Sequence, residues 1–261
     1  MSASSTVPAA VPQPDYAAIP RGNTQKNVNR EVLRYVLERS GLAPTSRVLD
    51  APSGEGEFLS VLRRYWPAAA LTACDIRPEA PEVPGLRYAQ VDLSQPFDLT
   101  AGQPFDLITS ISGIMMFGNT RTFIASCAHQ LRPGGVLVVT NDNVLSVRDR
   151  LSYLFLGRVR RFKLLFDADE ALSQFVQQQE LKRLMEVHGI ALEEVLYTSF
   201  YGEDLLFLPF ALLVYPFQWL YLQRLRHRTS PSLRLKMFGF RSLLARHYIF
   251  VGRKQPAVEP S

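Results

Sequence analysis

The residues best suited to chemistry are three aspartates that each follow a short apolar segment, with a glycine turn after the first. Asp50 precedes Gly54 and Gly56, and Asp75 and Asp92 end the next two apolar segments. Glycines at a strand-to-helix turn let the backbone approach a ligand, and the following helix N-terminus presents its N–H groups. A carboxylate about 20 residues further on can accept both hydroxyls of a ribose. The pattern predicts a nucleoside site at the carboxyl edge of a parallel sheet.

The spacing of this turn separates two classes of nucleotide site. A dinucleotide fingerprint needs a third small residue, but Leu59 stands there, and the acidic Asp50 disfavours a pyrophosphate. The stretch RVLDAPSGEGEF resembles motif I of the class I S-adenosylmethionine (SAM) dependent methyltransferases. Pro52 stands where that family usually has its first glycine. The phrase LRPGGVLVVT at residues 131–140 resembles the same family's junction between a helix and strand five.

The resemblance extends over roughly residues 25–200, and it carries expectations about the fold and the cofactor. It implies an α/β, Rossmann-like sheet of seven mostly parallel strands with helices on both faces. It implies SAM as the cofactor, with Asp75 on the ribose and Asp92 at the adenine amino group. The expected cofactor-binding residues are Asp50, Pro52, Ser53, Gly54, Gly56, Asp75, Ile76, Asp92, Leu93 and Ser110.

Apolar periodicity and turn residues predict the elements around this site. Helices are expected over residues 27–40, 120–131, 179–189 and 232–246. Strands are expected over residues 70–76, 86–93, 105–112, 136–140, 191–200 and 247–254, with 132–135 as a turn and the last strand antiparallel beside the sixth. The domain boundaries that follow are a flexible tail at 1–20, a SAM-binding core at 21–202, a helical insert at 203–246, the last core strand at 247–254 and a second tail at 255–261.

The cysteines and the first twenty residues bear on the compartment. Cys74 and Cys127 lie in apolar contexts, which indicates neither a disulfide framework nor a zinc site. No His pair has metal-ligand spacing. Residues 1–20 lack the charged and apolar regions of a signal peptide. A cytoplasmic protein is expected, and the oligomeric state stays open.

The segment before the last strand is unusual because it combines a long uncharged run with basic residues. Leu205–Leu222 contains no charge, and Pro209 and Pro216 are expected to interrupt any helix there. A single membrane crossing would separate the last strand from its sheet, so the insert must enter and leave on one face. Residues 203–254 carry nine Lys or Arg against two acidic residues.

The remainder of the insert allows two interpretations. A helix over residues 232–246 would place Leu233, Met237, Phe240 and Leu244 on one stripe flanked by basic residues. That pattern is typical of an interfacial helix on anionic lipid, on the inner face of the membrane. The alternative is a soluble lid that packs its apolar face on the core.

The catalytic group is not identified by any motif. Met115 and Met116 occupy the positions where many small-molecule methyltransferases place Glu-His. Asp142, at the end of strand five, is the best-placed carboxylate for a general base, although the commoner role at such a position, for Asp142 or Asn143, is to cap the next helix. His129 and His188 are interpreted as helix-surface residues.

Residues 141–158 resemble methyltransferases of bacterial cell-envelope glycan and lipid pathways, with Ser146 and Arg150 matching their Ser-x-x-x-Arg pattern. A basic cluster follows and could bind an anionic acceptor or form a solvated loop; it consists of Arg158, Arg160, Arg161 and Lys163.

Three functions fit these observations. The first is a methyltransferase for a glycan, lipid or quinone acceptor at the membrane surface. The second is a soluble small-molecule methyltransferase whose insert is a lid, and the third is a SAM-binding protein without turnover. The absence of an Asp/Asn-Pro-Pro-Tyr/Phe motif argues against methylation of nucleic-acid bases.

Overall fold

The computed structural model describes residues 14–116, 118–160, 162, 164–165, 174–225 and 229–256. Seven strands form one sheet in the order β3-β2-β1-β4-β5-β7-β6. The strands are β1 Arg47–Asp50, β2 Ala70–Asp75, β3 Arg87–Gln90, β4 Phe105–Ile111, β5 Leu131–Asp142, β6 Ile190–Thr198 and β7 His247–Lys254. Neighbours among β1 to β5 pair in parallel, whereas β7 is antiparallel to both β5 and β6. The expected Rossmann-like architecture is confirmed.

Helices cover both faces of the sheet. They are α1 Val28–Glu38, α2 Glu57–Tyr65, α3 Thr120–Gln130, α4 Val147–Leu156, α5 Gln178–Val187, α6 Leu208–Arg224 and α7 Pro231–Phe238. Alternate residues of β7 show how the core divides, because successive strand side chains point to opposite faces. Tyr248 and Phe250 pack in the cluster with α3 and α5. Ile249 and Val251 pack with α1 and α2 on the other side.

Several element boundaries differ from the sequence expectation. The third strand is limited to Arg87–Gln90 instead of 86–93. The fifth strand begins at Leu131, so the expected turn at 132–135 lies within it, beside an irregularity in the β4–β5 register. The helix expected over 232–246 ends at Phe238. Gly239 terminates it with its Cα against the Leu235 carbonyl, where a Cβ would lie only 2.4 Å from the oxygen.

The N-terminal segment is more ordered than the expected tail. Residues 1–13 lie outside the described part, but Tyr16–Ala18 form a 3₁₀ helix. Tyr16 and Ile19 pack against the cluster around α1 and α2. Burial of these two apolar side chains places residues 16–19 with the folded core.

The insert is helical, as expected, but its main helix is not interrupted. α6 runs from Leu208 to Arg224 with Pro209 in its first turn and Pro216 inside it. Proline in the first turn displaces no intrahelical hydrogen bond, and Pro216 removes only one from a long helix. The segment Gly202–Arg224 is long and apolar enough to cross a membrane, and only 11% of its most apolar stretch is buried.

The two ends of the insert are held close together at the carboxyl end of β5. Thr198 at the end of β6 pairs with His247 at the start of β7. The side-chain amide of Asn143 donates 2.7 Å hydrogen bonds to the carbonyls of Ser242 and Ala245. The chain therefore leaves and rejoins the sheet at one point.

Candidate functional site

A cavity of about 180 Å³ opens at the carboxyl ends of β1 and β2. Five of the ten expected cofactor residues line it: Asp50, Pro52, Ser53, Gly54 and Asp75. Another wall is formed by Asn23 and Thr24, which precede α1, and by Asn29 in its first turn. None of the three was named from the sequence, because no motif marks the loop that folds back over the crevice or the helix start that follows it.

Asp75 is positioned directly against the glycine turn. Its Oδ2 accepts a 3.0 Å hydrogen bond from the Gly54 N–H, and Oδ1 accepts from the Arg77 N–H at 3.3 Å. The residue is buried but lines the cavity. Ser53 adds a buried hydroxyl with no hydrogen-bond partner within the described residues. A buried polar group without a partner is costly, so both features fit a polar ligand such as a nucleoside.

Asp50 gives the cavity an acidic wall. Burial raises the pKa of this carboxyl to about 7, while its hydrogen bond from Thr109 acts in the opposite direction. The Thr109 hydroxyl lies 2.6 Å from Oδ1. Glu57 and Asp75 raise the pKa further by repulsion. A cluster of carboxylates in a partly desolvated cavity favours a ligand that carries positive charge.

The other five expected cofactor residues do not line this cavity. Gly56 caps α2 with a positive φ and packs against Pro81, where a Cβ would lie 2.5 Å from the ring. Ile76 is exposed, and Leu93 is buried in the core. Asp92 is exposed, and hydrogen bonds from the Ser94 side chain and from the Ser94 N–H lower the pKa of its carboxyl. Ser110 is fully buried on β4.

A second cavity of about 350 Å³ adjoins the first. The two share the wall formed by Asn23, Thr24 and Ser112. Met115 lines the second cavity, together with Asp142 and His247. Met115 thus supplies the apolar wall expected from the sequence, and Asp142 and His247 add ionisable groups to the same cavity.

Asp142 and His247 are brought together by the pairing of β5 with β7. They are directly opposite in the antiparallel register, and His247 Nδ1 lies 3.5 Å from Asp142 Oδ1. His247 Nε2 lies 3.2 Å from both Ser112 Oγ and Thr140 Oγ1. Only the strand order, with β7 between β5 and β6, could have indicated this pair from the sequence.

The capping alternative for Asp142 and Asn143 is wrong. Ser146 is the N-cap of α4, because its hydroxyl accepts from the Asp149 N–H. Asn143 instead holds the end of the insert, as described above. Asp142 lines the second cavity instead of capping α4.

Ser112 connects the cofactor cavity to this pair. Its φ of +56° places a non-glycine residue in the left-handed region, directly after β4. Its hydroxyl is 2.6 Å from Thr24 Oγ1 and 3.2 Å from His247 Nε2. Backbone strain of this kind persists where the surroundings fix it, and it often marks a functional position.

The basic cluster after α4 is only partly described. Arg161 and Lys163 lie outside the described residues. Arg160 faces carboxylates: its Nη2 lies 3.8 Å from Asp142, and its Nε lies 3.9 Å from Asp149. Arg158 lines a separate cavity next to Val144 and Leu145. Within the described residues, no group of three His, Cys, Asp or Glu side chains could hold a metal ion.

Comparison with known proteins agrees with this geometry. The profile of a family described as "Methyltransferase domain" matches residues 24–195, about two thirds of the chain. The chain belongs to the class I SAM-dependent methyltransferases. Its cofactor is SAM, whose sulfonium supplies an activated methyl group. Asp50, Ser53, Gly54 and Asp75 are the described residues best placed to hold it.

Curated relatives are methyltransferases that act on oxygen. The chain is 30% identical over 171 residues to a ubiquinone biosynthesis O-methyltransferase of Xanthomonas euvesicatoria, covering 62% of this chain and 70% of the relative. It is 26% identical over 130 residues to a malonyl-[acyl-carrier protein] O-methyltransferase of a Paenibacillus, covering 45% and 47%. The chain thus spans about half the length of the latter.

Solved structures agree on the fold alone. A SAM-dependent methyltransferase from Archaeoglobus fulgidus is 14% identical with a TM-score of 0.53, covering 87% of this chain and 93% of that one. A similar enzyme from Clostridium acetobutylicum is 12% identical with a TM-score of 0.53, covering 89% and 92%.

Proposed function

We propose that this methyltransferase transfers the methyl group to an oxygen of a small-molecule, glycan or lipid-linked acceptor, working at the inner surface of a membrane. The observation that carries the proposal is the Asp142–His247 pair on the cavity that adjoins the cofactor cavity. A hydroxyl acceptor must lose a proton as it attacks the methyl carbon, so a base beside it accelerates the transfer. The relatives, which are O-methyltransferases by name, support the same chemistry.

The chain's own residues divide this work. Asp142 orients the His247 ring from the Nδ1 side and stabilises its protonated form. The opposite nitrogen, Nε2, is in contact with the Ser112 hydroxyl, which lines both cavities. In such a relay, Ser112 gives its own hydroxyl proton to His247 Nε2 and takes the proton of the acceptor hydroxyl in its place. The shared wall holds the acceptor next to the cofactor, and such positioning contributes much of the acceleration.

The membrane part of the proposal is supported by the surface of α6. Its most exposed apolar side chains are Leu212, Leu213, Phe217 and Tyr221. The basic residues of the same insert complement anionic lipid headgroups. Because the insert leaves and rejoins the sheet at one point, it suits peripheral contact.

The competing soluble interpretation also has an observation in its favour. Ala211 of α6 packs with Val147 and Leu243 in a small buried cluster, so the insert is attached to the core as a lid would be. Turnover of methyl-labelled SAM with a cell-envelope extract separates these possibilities. We expect labelled product that partitions into an organic phase. Water-soluble product would favour the lid, and SAM binding without turnover would leave a binding protein.

A further inference from the structure

A cavity remote from the cofactor lies between α5, α6 and α7. Its volume is about 500 Å³, within the usual range for small-molecule sites. Its apolar walls come from Leu222, Leu225, Met237 and Phe238. It shares no lining residue with the cofactor cavity or with the cavity beside Asp142.

Positive charge dominates the polar part of this cavity. Its ionisable lining residues are Arg150, Lys182, Arg183, Arg234 and Glu186. Lys182 forms a salt bridge with Glu186 on the same helix. Glu186 is the one carboxylate among the residues that line the cavity, and this salt bridge occupies it. The three arginines therefore face the cavity without a carboxylate within 4 Å among the described residues.

Arg150 and Arg234 are held in place by neutral groups. Arg150 Nε donates to the Leu145 carbonyl at 2.9 Å, and Nη2 donates to Gln218 Oε1 at 2.7 Å. Burial lowers the pKa of Arg150, which reflects a guanidinium that is partly removed from water. Arg234 Nη1 donates to the carbonyls of Leu222 and Leu225.

Among the described residues, one N–H group of Arg234 has no acceptor. Its Nε is buried and has no acceptor within the described residues. A buried N–H of a charged group without a partner is unfavourable. The hydrogen bonds that anchor α6 explain why Arg234 Nη1 is buried, but they leave the Nε–H group without an acceptor. Two half-buried guanidiniums beside one apolar cavity together favour an anionic ligand with an apolar body.

We propose that the cavity between α5, α6 and α7 binds an anionic amphiphile, with its acidic head on Arg150 and Arg234 and a single hydrocarbon chain against Leu222, Leu225 and Phe238. The position suits a lipid, because α6 carries exposed apolar side chains, and one of them, Tyr221, also lines the cavity. The site is separate from methyl transfer, and the proposal does not depend on the identity of the acceptor.

The test measures binding of lysophosphatidylglycerol, below its micelle concentration, to the full chain by calorimetry. Lysophosphatidylcholine and inorganic phosphate are the comparison probes. We expect lysophosphatidylglycerol to bind, and both Arg150→Gln and Arg234→Gln to weaken it by roughly tenfold or more. The matched control is Arg224→Gln, an exposed arginine of α6 outside the cavity, which should change little.

A second variant keeps the test decisive if an arginine replacement unfolds the chain. Leu225→Trp fills the cavity without removing a charge and should weaken binding of lysophosphatidylglycerol while SAM binding stays intact. Equal binding of both lysolipids, or binding that Leu225→Trp leaves unchanged, would overturn the proposal. Phosphate binding as tightly as the lysolipid would indicate a simple anion site and would also reject it. Loss of methyl transfer in these variants is not required.

Discussion

Asp142 and His247 face each other across the β5–β7 pairing, with 3.5 Å between carboxylate Oδ1 and ring Nδ1. If this pair is the base, His247→Gln should lower kcat by roughly 10²–10⁴-fold while leaving the Kd for SAM unchanged. Asp142→Asn should act in the same direction and alter the pH profile of kcat. The matched control is His129→Gln on α3. Equal kcat in wild type and His247→Gln would remove the assignment.

The ribose assignment of Asp75 leads to a binding experiment. Asp75→Ala removes the acceptor of the Gly54 N–H and the carboxylate expected on the ribose. We expect the Kd for SAM to rise by roughly tenfold or more, since a charge-assisted hydrogen bond contributes about 1.5–3 kcal/mol. Asp98, an exposed aspartate in a turn, supplies the Asp98→Ala control. Calorimetry with SAM and with its product S-adenosylhomocysteine measures the Kd of both variants. Unaltered affinity in Asp75→Ala would show that the ribose lies elsewhere.

Asp50 gives the folded protein a defined pH dependence. Its pKa in the fold is about 7, above its ordinary value of 3.8, so the folded state binds more protons between these limits. The contribution of Asp50 to stability therefore falls as pH rises from about 4 to about 7. Asp50→Asn should be more stable than wild type at pH 8, on the order of 4 kcal/mol, and nearly equal at pH 4.

Urea unfolding of the cofactor-free protein at several pH values measures this difference. Glu79→Gln, an exposed carboxylate on the neighbouring loop, is the control and should follow wild type. A stability difference that is the same at pH 4 and pH 8 would contradict the buried-carboxylate explanation.

The apolar surface of α6 predicts binding to lipid. Leu213→Ser with Phe217→Ser removes two side chains that are 66% and 71% exposed. Wild type should co-sediment with anionic liposomes and be released only in part by salt, because salt screens charge but not apolar contact. The double variant should bind roughly tenfold more weakly. Val187→Ser, an exposed apolar residue of α5, is the control, and wild type that ignores liposomes would favour the lid.

The salt bridge at the base of the insert predicts a stability effect. Arg246 is buried and forms hydrogen bonds with Asp204, and its guanidinium stacks 4.2 Å above the Tyr201 ring. Asp204→Asn would leave a buried guanidinium without its main partner and should cost about 3–5 kcal/mol of unfolding free energy. Glu203→Gln, at a more exposed carboxylate, should cost much less, because solvent screens that ion pair. Equal effects in a urea titration would show that burial does not set the difference.

Local patterns in the sequence were enough to predict the sheet and to bring some of the expected cofactor residues together. Asp50, Gly54 and Asp75 line one cavity because they lie at strand ends and in one turn, so spacing along the chain fixes where they meet. Their contact, the Gly54 N–H donating to Asp75, follows from parallel pairing of β1 and β2.

Features that depend on distant parts of the chain were not found. His247 joins Asp142 only through the position of β7 between β5 and β6, and Thr24 joins Ser112 only when the N-terminal loop folds back. The continuity of α6 was also missed. Helix propensity reflects the hydrogen bond that Pro216 removes. It does not include the packing of Ala211 against the core, which holds the helix in place.

The place of β7 in the sheet bears on how the chain is made. β5 and β6 lie on either side of β7 and are both synthesised before it, and the apolar α6 is synthesised between β6 and β7. Until β7 emerges from the ribosome, both neighbours present open edges and α6 has no closed sheet behind it. The nascent protein therefore passes through an interval in which the apolar helix α6 is complete but the sheet is not yet closed. Exposed apolar surface and open strand edges make a chain prone to aggregation in that interval.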